Sequence, residues 1–170
     1  MPHVAYRKIR EGRYKKDEII NFDHAKGKIE AKVFNHKTGK FKDPKYYDAP
    51  IQIRDLISGF MYLRTQDLGK IKKGDTVVIT GFFEDTFYKL KVIYQGKDIV
   101  RTKVGKIHAL VFTPHMPENS VFKGKDSITV WFSDDKNRIP IKVSADMFIG
   151  SAGVELTSYR GLKNPLNLVK

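Results

Sequence analysis

The clearest pattern of hydrophobic and polar positions lies in two stretches, residues 128–133 and 139–143, which flank a polar turn. Apolar and polar side chains alternate in both stretches, which is the two-residue period of a half-buried β-strand. The Asp, Lys and Asn residues between them favour a tight turn because such side chains bond the local backbone. The sequence therefore predicts a β-hairpin, with Val130 and Phe132 on one face and Trp131 on the other. We expect one face to be apolar and the other to be largely exposed to water.

Alternation of the same kind predicts most of the remaining elements. The other predicted strands are residues 14–22, 28–34, 77–83, 86–94, 99–102, 105–113 and 153–159. The polar residues 95–98 are interpreted as a turn, and Gly105 as the position of a bulge. Residues 42–50 are predicted to form a surface loop. Pro140 has no amide hydrogen to donate, which predicts a strand start, an edge strand or a bulge at that residue.

Residues 55–64 are the one stretch with a convincing helical period. Asp55 stands near the start, where a negative charge suits the helix dipole. Four apolar residues recur at helical spacing and should form a stripe that packs on the sheet. The stripe consists of Leu56, Ile57, Phe60 and Leu63.

Together the elements predict a mainly β fold: a strongly curved antiparallel sheet or incomplete β-barrel with one short helix. Neither a βαβ pattern nor an internal repeat is present in the sequence. The chain has 170 residues, of which 41% are hydrophobic and 30% charged, as in ordinary globular domains. We interpret residues 1–170 as a single β-rich domain. No stretch of about 18 apolar residues predicts a transmembrane helix.

The charge balance is strongly basic. Lysine and arginine number 32 against 19 aspartates and glutamates, which gives a net charge of +13. Such a charge favours anionic partners, namely nucleic acid, acidic lipids or polyanionic glycans. Lysines also keep β-proteins soluble and protect strand edges, so both interpretations stay open. Because the basic residues are dispersed rather than gathered in one block, we do not expect nucleic acid to be the partner.

Candidate patterns for catalysis and metal binding are weak. The chain has no cysteine, which excludes disulfides, thiolate metal sites and cysteine nucleophiles. Its histidines lack metal-ligand spacing, and no phosphate-binding glycine loop or G-x-S-x-G motif is present. Two acidic pairs, Asp134 with Asp135 and Glu84 with Asp85, are either carboxylate pairs or charged turns, and we interpret both as turns. As a carboxylate pair, Asp134 and Asp135 would serve metal binding or acid–base chemistry. The sequence thus predicts a protein that is not an enzyme and uses no metal or cofactor.

Aromatic and basic side chains on the predicted strands supply candidate binding residues. Aromatic residues on strands belong to a core more often than to a platform for single-stranded nucleic acid. The candidate ligand contacts are Tyr88, Leu90, Val92, Tyr94 and Trp131. The candidate charge contacts are Lys89, Lys91, Arg101 and Lys142. These assignments follow from the faces of predicted strands and not from a motif.

Several segments occur in an order that resembles a known family. They are residues 54–64, 97–105, 130–140, 150–151 and 161–166. They resemble the family called domain of unknown function 3108, which is common in exported proteins of Bacteroidetes and other Gram-negative bacteria. The resemblance, from about Arg10 to the C terminus, implies a periplasmic or exported β-rich protein with no assigned reaction. It also implies a signal peptide and further strands ahead of the part that matches this chain.

The charge, the strand faces and the resemblance together give an expected function. We expect an exported cell-envelope protein that binds an anionic lipid, lipoglycan or glycan in a curved β-sheet cavity, without enzymatic activity. The alternative is a structural or assembly protein that docks another envelope protein through a basic face or a β edge. Nucleic-acid binding ranks third and catalysis fourth, and the oligomeric state stays open.

Overall fold

The structure, a computed structural model, describes residues 1–115 and 124–169. It is mainly β, with 55% of residues in strands and 6% in helix, which confirms the predicted fold class. The strands are β1 (Val4–Glu11), β2 (Tyr14–Asp23), β3 (Lys28–Asn35), β4 (Lys40–Phe41), β5 (Lys45–Asp48), β6 (Thr76–Phe83), β7 (Thr86–Thr102), β8 (Gly105–Pro114), β9 (Ile128–Ser133), β10 (Pro140–Asp146) and β11 (Ser151–Glu155). Helix α1 is Leu56–Tyr62, and a short 3-10 helix, Leu63–Thr65, follows it.

The chain divides into two compact units. Unit 1 consists of Met1–Phe60 and Thr80–Tyr88, and unit 2 consists of Met61–Ile79 and Lys89–Lys170. The ends of β6 and β7 that lie next to their connecting turn therefore belong to unit 1. The division does not show whether either unit folds without the other. That residues 1–170 form a single domain therefore stays a prediction.

Unit 1 contains a five-stranded antiparallel sheet in the order β1-β2-β3-β4, with β5 also paired to β3. Its buried core consists of Ile20, Phe22, Ile29, Ala31, Ile53 and Phe82. The alternating pattern predicted β2 and β3 to within two residues. The loop predicted over residues 42–50 was wrong where β5 pairs with β3 and places Tyr47 opposite Ile29. Four residues are too few to show alternation, so pairing with β3 decides this strand.

Unit 2 contains most of a six-stranded antiparallel sheet in the order β11-β10-β9-β8-β7-β6, of which only the ends of β6 and β7 belong to unit 1. The predicted hairpin is confirmed as β9 and β10, and Val130 and Phe132 are buried on one face. Pro140 begins β10, and the register shifts between Pro140 and Lys142. Both observations confirm the strand start and bulge that the missing amide hydrogen predicted.

Strand β7 runs without a break for 17 residues, so the turn predicted at residues 95–98 was wrong. The register shifts between Tyr94 and Gly96, and Gly96 has a φ of 114°. A bulge at this glycine absorbs the extra residue, because glycine tolerates positive φ at low cost. The bulge predicted at Gly105 was misplaced, since Gly105 lies opposite Thr102 where β7 turns into β8. The last strand is β11, which begins and ends earlier than the predicted 153–159.

A second apolar cluster lies on the opposite face of the unit 2 sheet, which we had expected to be largely exposed to water. Its buried residues are Val100, Ile107, Ala109 and Ile141, and Val104, Trp131, Ile139, Leu156 and Leu166 pack against it. The C-terminal segment, residues 156–169, supplies two of those side chains. The amide of His108 donates to the carbonyl of Asn167 at 3.0 Å, and the amide of Val169 donates to Lys106 at 2.9 Å. These bonds pair residues 167–169 with β8. The C-terminal segment, whose sequence does not alternate, therefore covers the face that carries Trp131.

Helix α1 begins where the sequence predicted. The Oδ1 atom of Asp55 accepts the amide of Ser58 at 2.7 Å, which is an N-cap bond. Of the predicted apolar stripe, Leu63 is buried, whereas Leu56 and Ile57 are 57% and 65% exposed. The expectation that the whole stripe packs on a sheet was therefore wrong for these two residues. The helix has only seven residues, and Leu63 lies in the 3-10 helix that follows it.

Candidate anion-binding grooves

The four predicted contact residues on β7 share a strand face but differ in exposure. Tyr88 and Leu90 are half-buried, while Val92 and Tyr94 are 1% and 5% exposed. The ring of Tyr94 lies 5.2 Å from that of Phe112 within the core. A ligand at the surface can therefore reach Tyr88 and Leu90 more easily than the two deeper residues. Their role as ligand contacts stays a prediction.

Trp131 lies on the other face of the sheet, because Val130 and not Trp131 shares the face of Phe112 and Tyr94. Its indole Nε1 donates to Oδ2 of Asp98 at 3.1 Å. The Nζ atom of Lys142, which is its partner across β9 and β10, lies 5.3 Å from the ring centroid. The structure thus brings Trp131 and Lys142 together but separates both from Tyr94.

The other predicted basic residues are exposed. Lys89 and Lys91 alternate with the apolar face of β7, and Arg101 lies opposite Lys106 near the β7–β8 turn. None of these residues has an ion pair within residues 1–115 and 124–169. Their charges are therefore available to a ligand, but they do not converge on a single place with Trp131 and Lys142.

The acidic pair in the β9–β10 connection forms a turn, as interpreted from the sequence. Oδ1 of Asp135 accepts the amide of Asn137 at 2.7 Å and the hydroxyl of Ser133 at 3.2 Å. Asp134 instead forms an ion pair with Lys97 at 2.7 Å. The two carboxylates are engaged in separate structural contacts, so they do not form a carboxylate pair.

The acidic pair between β6 and β7 also forms a turn. Glu84 and Asp85 both have positive φ, at 48° and 60°, as in the tight turns that suit twisted hairpins. Glu84 forms an ion pair with Arg7 at 3.0 Å, and Asp85 forms one with Lys45 at 2.5 Å. Burial alone would raise the pKa of Asp85, but the hydrogen bonds from Lys45 and Tyr47 outweigh it and hold that pKa below its usual value.

A groove of about 490 Å³ lies in unit 1, where β2 extends past the end of β3. We call it the basic groove. Its lining residues are Tyr14, Lys15, Lys16, Val33, Phe34, Asn35, His36, Lys37 and Lys42. Four lysines and one histidine are present among these residues, and no aspartate or glutamate is.

The carboxylates beside the basic groove are already paired. Asp17 is 3.6 Å from Nε2 of His36, but Arg10 donates to its Oδ1 at 2.6 Å and its Oδ2 at 2.9 Å. Hydrogen bonding and charge from Arg10 lower the pKa of Asp17. The ammonium group of Lys16 lies 3.3 Å from the Glu18 carboxylate, so Glu18 partly neutralises the charge of Lys16. The groove keeps its positive charge through Lys15, Lys37 and Lys42, which have no ion pair within the described parts of the chain.

The sequence did not identify this groove. Our candidates came from strand faces in residues 88–142, whereas the groove combines a strand end with a turn. The signal was nonetheless present, because residues 34–42 contain two phenylalanines, a histidine and three lysines around the turn glycine Gly39. Only the pairing of β2 with β3 places Tyr14 and Lys15 beside that turn.

A second groove, of about 550 Å³, lies in unit 2 along the C-terminal segment. We call it the C-terminal groove. Its lining residues are Tyr159, Arg160, Gly161, Leu162, Lys163, Asn164, Pro165, Leu166 and Leu168. Apolar side chains predominate here, with two cations and no carboxylate among the lining residues.

Within residues 1–115 and 124–169, no group of three or more His, Cys, Asp or Glu side chains is arranged to hold a metal ion. In the same part of the chain, no helix is both long and apolar enough to cross a bilayer.

Comparison with protein families matches residues 1–157 to the family described as a protein of unknown function, DUF3108. The chain belongs to the DUF3108 family. This confirms the resemblance read from the sequence, but the match begins at Met1 rather than near Arg10. It ends before residues 161–166, which the resemblance had included. No curated protein and no solved structure matches the chain.

The extent of the DUF3108 match distinguishes the two grooves. All lining residues of the basic groove lie inside the matched region, and all those of the C-terminal groove lie beyond residue 157. A property shared across the DUF3108 family would therefore be sought first in the basic groove. The family has no described reaction, so it assigns no functional residues to this chain.

Proposed function

We propose that this DUF3108 protein binds an anionic glycan in the basic groove and does not transform it chemically. The observation that carries the proposal is the lining of the groove, which has four lysines and a histidine and no carboxylate. A groove lined by one sign of charge concentrates ligands of the opposite sign. Placement in the cell envelope is part of this proposal and rests on the family resemblance.

The choice of a glycan rests on the aromatic residues of the groove. Tyr14 is 54% exposed and Phe34 lines the same groove, so both offer apolar ring surface next to lysines. A sugar ring presents apolar C–H groups that pack on such rings, while its acidic substituents pair with lysine. Val33 is the one aliphatic side chain in the lining, which offers little surface to an alkyl chain. The groove is open rather than enclosed, which suits a segment of a polymer.

Isothermal titration calorimetry with an oligogalacturonate, a chain of uronic acids, tests this proposal. We expect binding of the oligogalacturonate that weakens as salt is added, because exposed charges are screened. A neutral malto-oligosaccharide of equal length should bind much more weakly. A single-stranded oligonucleotide of equal charge serves as the comparator for nucleic acid. Tighter binding of the oligonucleotide than of the uronate would overturn the glycan assignment.

Matched variants locate the binding. The double variant Lys37→Ala, Lys42→Ala should weaken uronate binding about two- to thirtyfold, since each exposed charge contact contributes about 0.2–1 kcal/mol. The double variant Lys103→Ala, Lys136→Ala removes the same charge from exposed positions of unit 2 and should have little effect. Tyr14→Ala should also weaken binding. Equal losses in both double variants would indicate a response to net charge alone, and the groove would be the wrong place.

A second candidate function is docking through a β edge, and strand β11 favours it. All five residues of β11 are exposed, and the strand ends its sheet. Unlike the edge strand β1, which carries Arg7, Lys8 and Arg10, β11 has no basic residue to discourage pairing. Pairing with a second copy would produce a dimer in sedimentation velocity that Ala152→Lys abolishes. A monomer at all concentrations would exclude this self-pairing.

A further inference from the structure

The C-terminal groove is distinct from the basic groove in composition. Leu162, Pro165, Leu166 and Leu168 supply aliphatic surface, and Leu168 is 41% exposed. Arg160 and Lys163 are exposed and have no ion pair with any residue that the structure describes. Apolar surface with a few charges is the usual lining of a small-molecule site, and this groove of about 550 Å³ is open along one side, as the basic groove is.

Side-chain hydrogen bonds hold the groove in shape. Asn137 and Asn164 bond reciprocally: Nδ2 of Asn137 donates to the carbonyl of Asn164 at 2.8 Å, and the amide of Asn164 donates to Oδ1 of Asn137 at 2.9 Å. Three residues later, the amide of Asn167 donates to Oδ2 of Asp135 at 3.1 Å. Leu166 packs on the buried cluster of the sheet between these two anchors. A ligand would therefore find one wall of the groove already formed, which lowers the entropy lost on binding.

We propose that the C-terminal groove binds an anionic amphiphile with a single alkyl chain, whose headgroup pairs with Arg160 and Lys163. This goes beyond the proposed glycan binding, because it uses another groove, other residues and another ligand class. Charge complementarity selects the headgroup, since the lining has two cations and no carboxylate. Arginine can hold a carboxylate through two parallel hydrogen bonds. The leucines and Pro165 select the alkyl chain, because apolar area removed from water stabilises the complex.

Titration with dodecanoate below its micellar concentration tests the proposal. We expect calorimetry to show saturable binding with one site per chain. Butanoate keeps the carboxylate but lacks most of the chain, and should bind far more weakly. Each added methylene should tighten binding by up to about fourfold until the groove is filled. Dodecyltrimethylammonium, which has the same chain and a positive headgroup, should not bind at this site.

Two variants separate the contributions of headgroup and chain. Arg160→Gln with Lys163→Gln should weaken dodecanoate binding about two- to thirtyfold, while Lys103→Gln with Lys136→Gln should leave it nearly unchanged. Leu162→Asn should weaken binding of dodecanoate more than that of butanoate. All of these positions are at least partly exposed, so the variants should fold, which circular dichroism would verify.

The outcomes distinguish this proposal from glycan binding. The Arg160 and Lys163 variant should bind oligogalacturonate normally, and the Lys37 and Lys42 variant should bind dodecanoate normally. Absence of dodecanoate binding, equal affinity for the ammonium amphiphile, or no dependence on chain length would each overturn the amphiphile proposal. None of these results would affect the basic groove.

Discussion

Arg7 and Glu18 face each other across β1 and β2 and form an ion pair, with 2.7 Å between Nη2 and Oε2. The Glu18 side chain is only 3% exposed and Arg7 is 21% exposed. Arg7 also approaches Glu84 at 3.0 Å and lies 4.6 Å from the ring centroid of Phe83. One arginine thus connects the first strand of unit 1 with the β6–β7 turn, and the buried Glu18 carboxylate also has Lys16 at 3.3 Å.

Breaking this pair should strongly destabilise unit 1. Removing one partner of a buried ion pair costs about 3–5 kcal/mol when the other charge is left uncompensated. Because Lys16 lies 3.3 Å from Glu18 and still opposes its charge, we expect Arg7→Met to lower the free energy of unfolding by less than that amount in urea denaturation. Lys8→Met, on the exposed side of the same strand, should change it little. The double variant Arg7→Met, Glu18→Met should recover much of the lost free energy of unfolding. A double variant that is less stable than Arg7→Met alone would contradict this account.

Asp85 should make the protein sensitive to acid. Its folded-state pKa lies below the ordinary value, so the ionised carboxylate stabilises the fold above about pH 4. That contribution should be lost as the pH falls below the ordinary pKa of an aspartate and through the lowered pKa of the folded state, where the carboxylate is protonated. Asp85→Asn keeps a residue that tolerates the left-handed turn and removes the charge.

Thermal unfolding of wild type and Asp85→Asn from pH 7 to pH 2 measures this effect. Wild type should have the higher midpoint at neutral pH, and the two curves should converge in acid. Asp43→Asn, at an exposed residue without an ion pair in the described chain, should follow wild type throughout. A constant difference across the pH range would show that the charge of Asp85 is not responsible.

Asp135 should control the attachment of the C-terminal segment. It closes its own turn and accepts the amide of Asn167. Asp135→Ala leaves those amides without partners, at a cost of about 1–3 kcal/mol for a buried group. Hydrogen exchange should become faster at Asn167 and Val169, whereas Lys136→Ala, at the adjacent exposed position, should leave it unchanged. Unchanged exchange in Asp135→Ala would mean that packing of Leu166 alone holds the segment.

Trp131 provides a local reporter, because the chain contains one tryptophan. Asp98→Ala removes the acceptor of the indole hydrogen bond, and Lys142→Ala removes the cation near the ring. We expect both variants to shift the fluorescence emission, and Lys142→Ala to cost about 0.5–1 kcal/mol of stability. Lys91→Ala, which is exposed on β7, is the control. Emission identical to wild type in all three would show that these contacts do not persist in solution.

The period of the sequence predicted β2, β3, β6 and the β9–β10 hairpin because each has enough residues to show alternation. It failed at positions 95–98, where Gly96 forms a bulge and β7 continues. A polar tetrapeptide with glycine suits a turn or a bulge equally well by local rules. Only the unbroken pairing with β8 selects the bulge. It also failed at β5, whose four residues gain their structure from β3.

For the candidate binding residues too, the local pattern was correct within a strand and failed between strands. Alternation correctly placed Lys89 and Lys91 opposite Val92 and Tyr94. It did not reveal that Trp131 lies on the other face of the sheet from Tyr94, because the faces of separate strands are related only through their register. Both grooves lay outside the predicted set for this reason, as each is built where a strand or segment ends.

By itself, the sequence determined the mainly β class, the positions of the longer strands, the basic charge and the family. These properties depend on composition and on short-range periodicity, which each segment carries independently of its neighbours. The tertiary structure alone decided the buried pairing of Arg7 with Glu18, the covering of the second sheet face and the composition of the two grooves. These depend on strand register and on contacts between residues distant in the chain, for which local physical preferences hold no information.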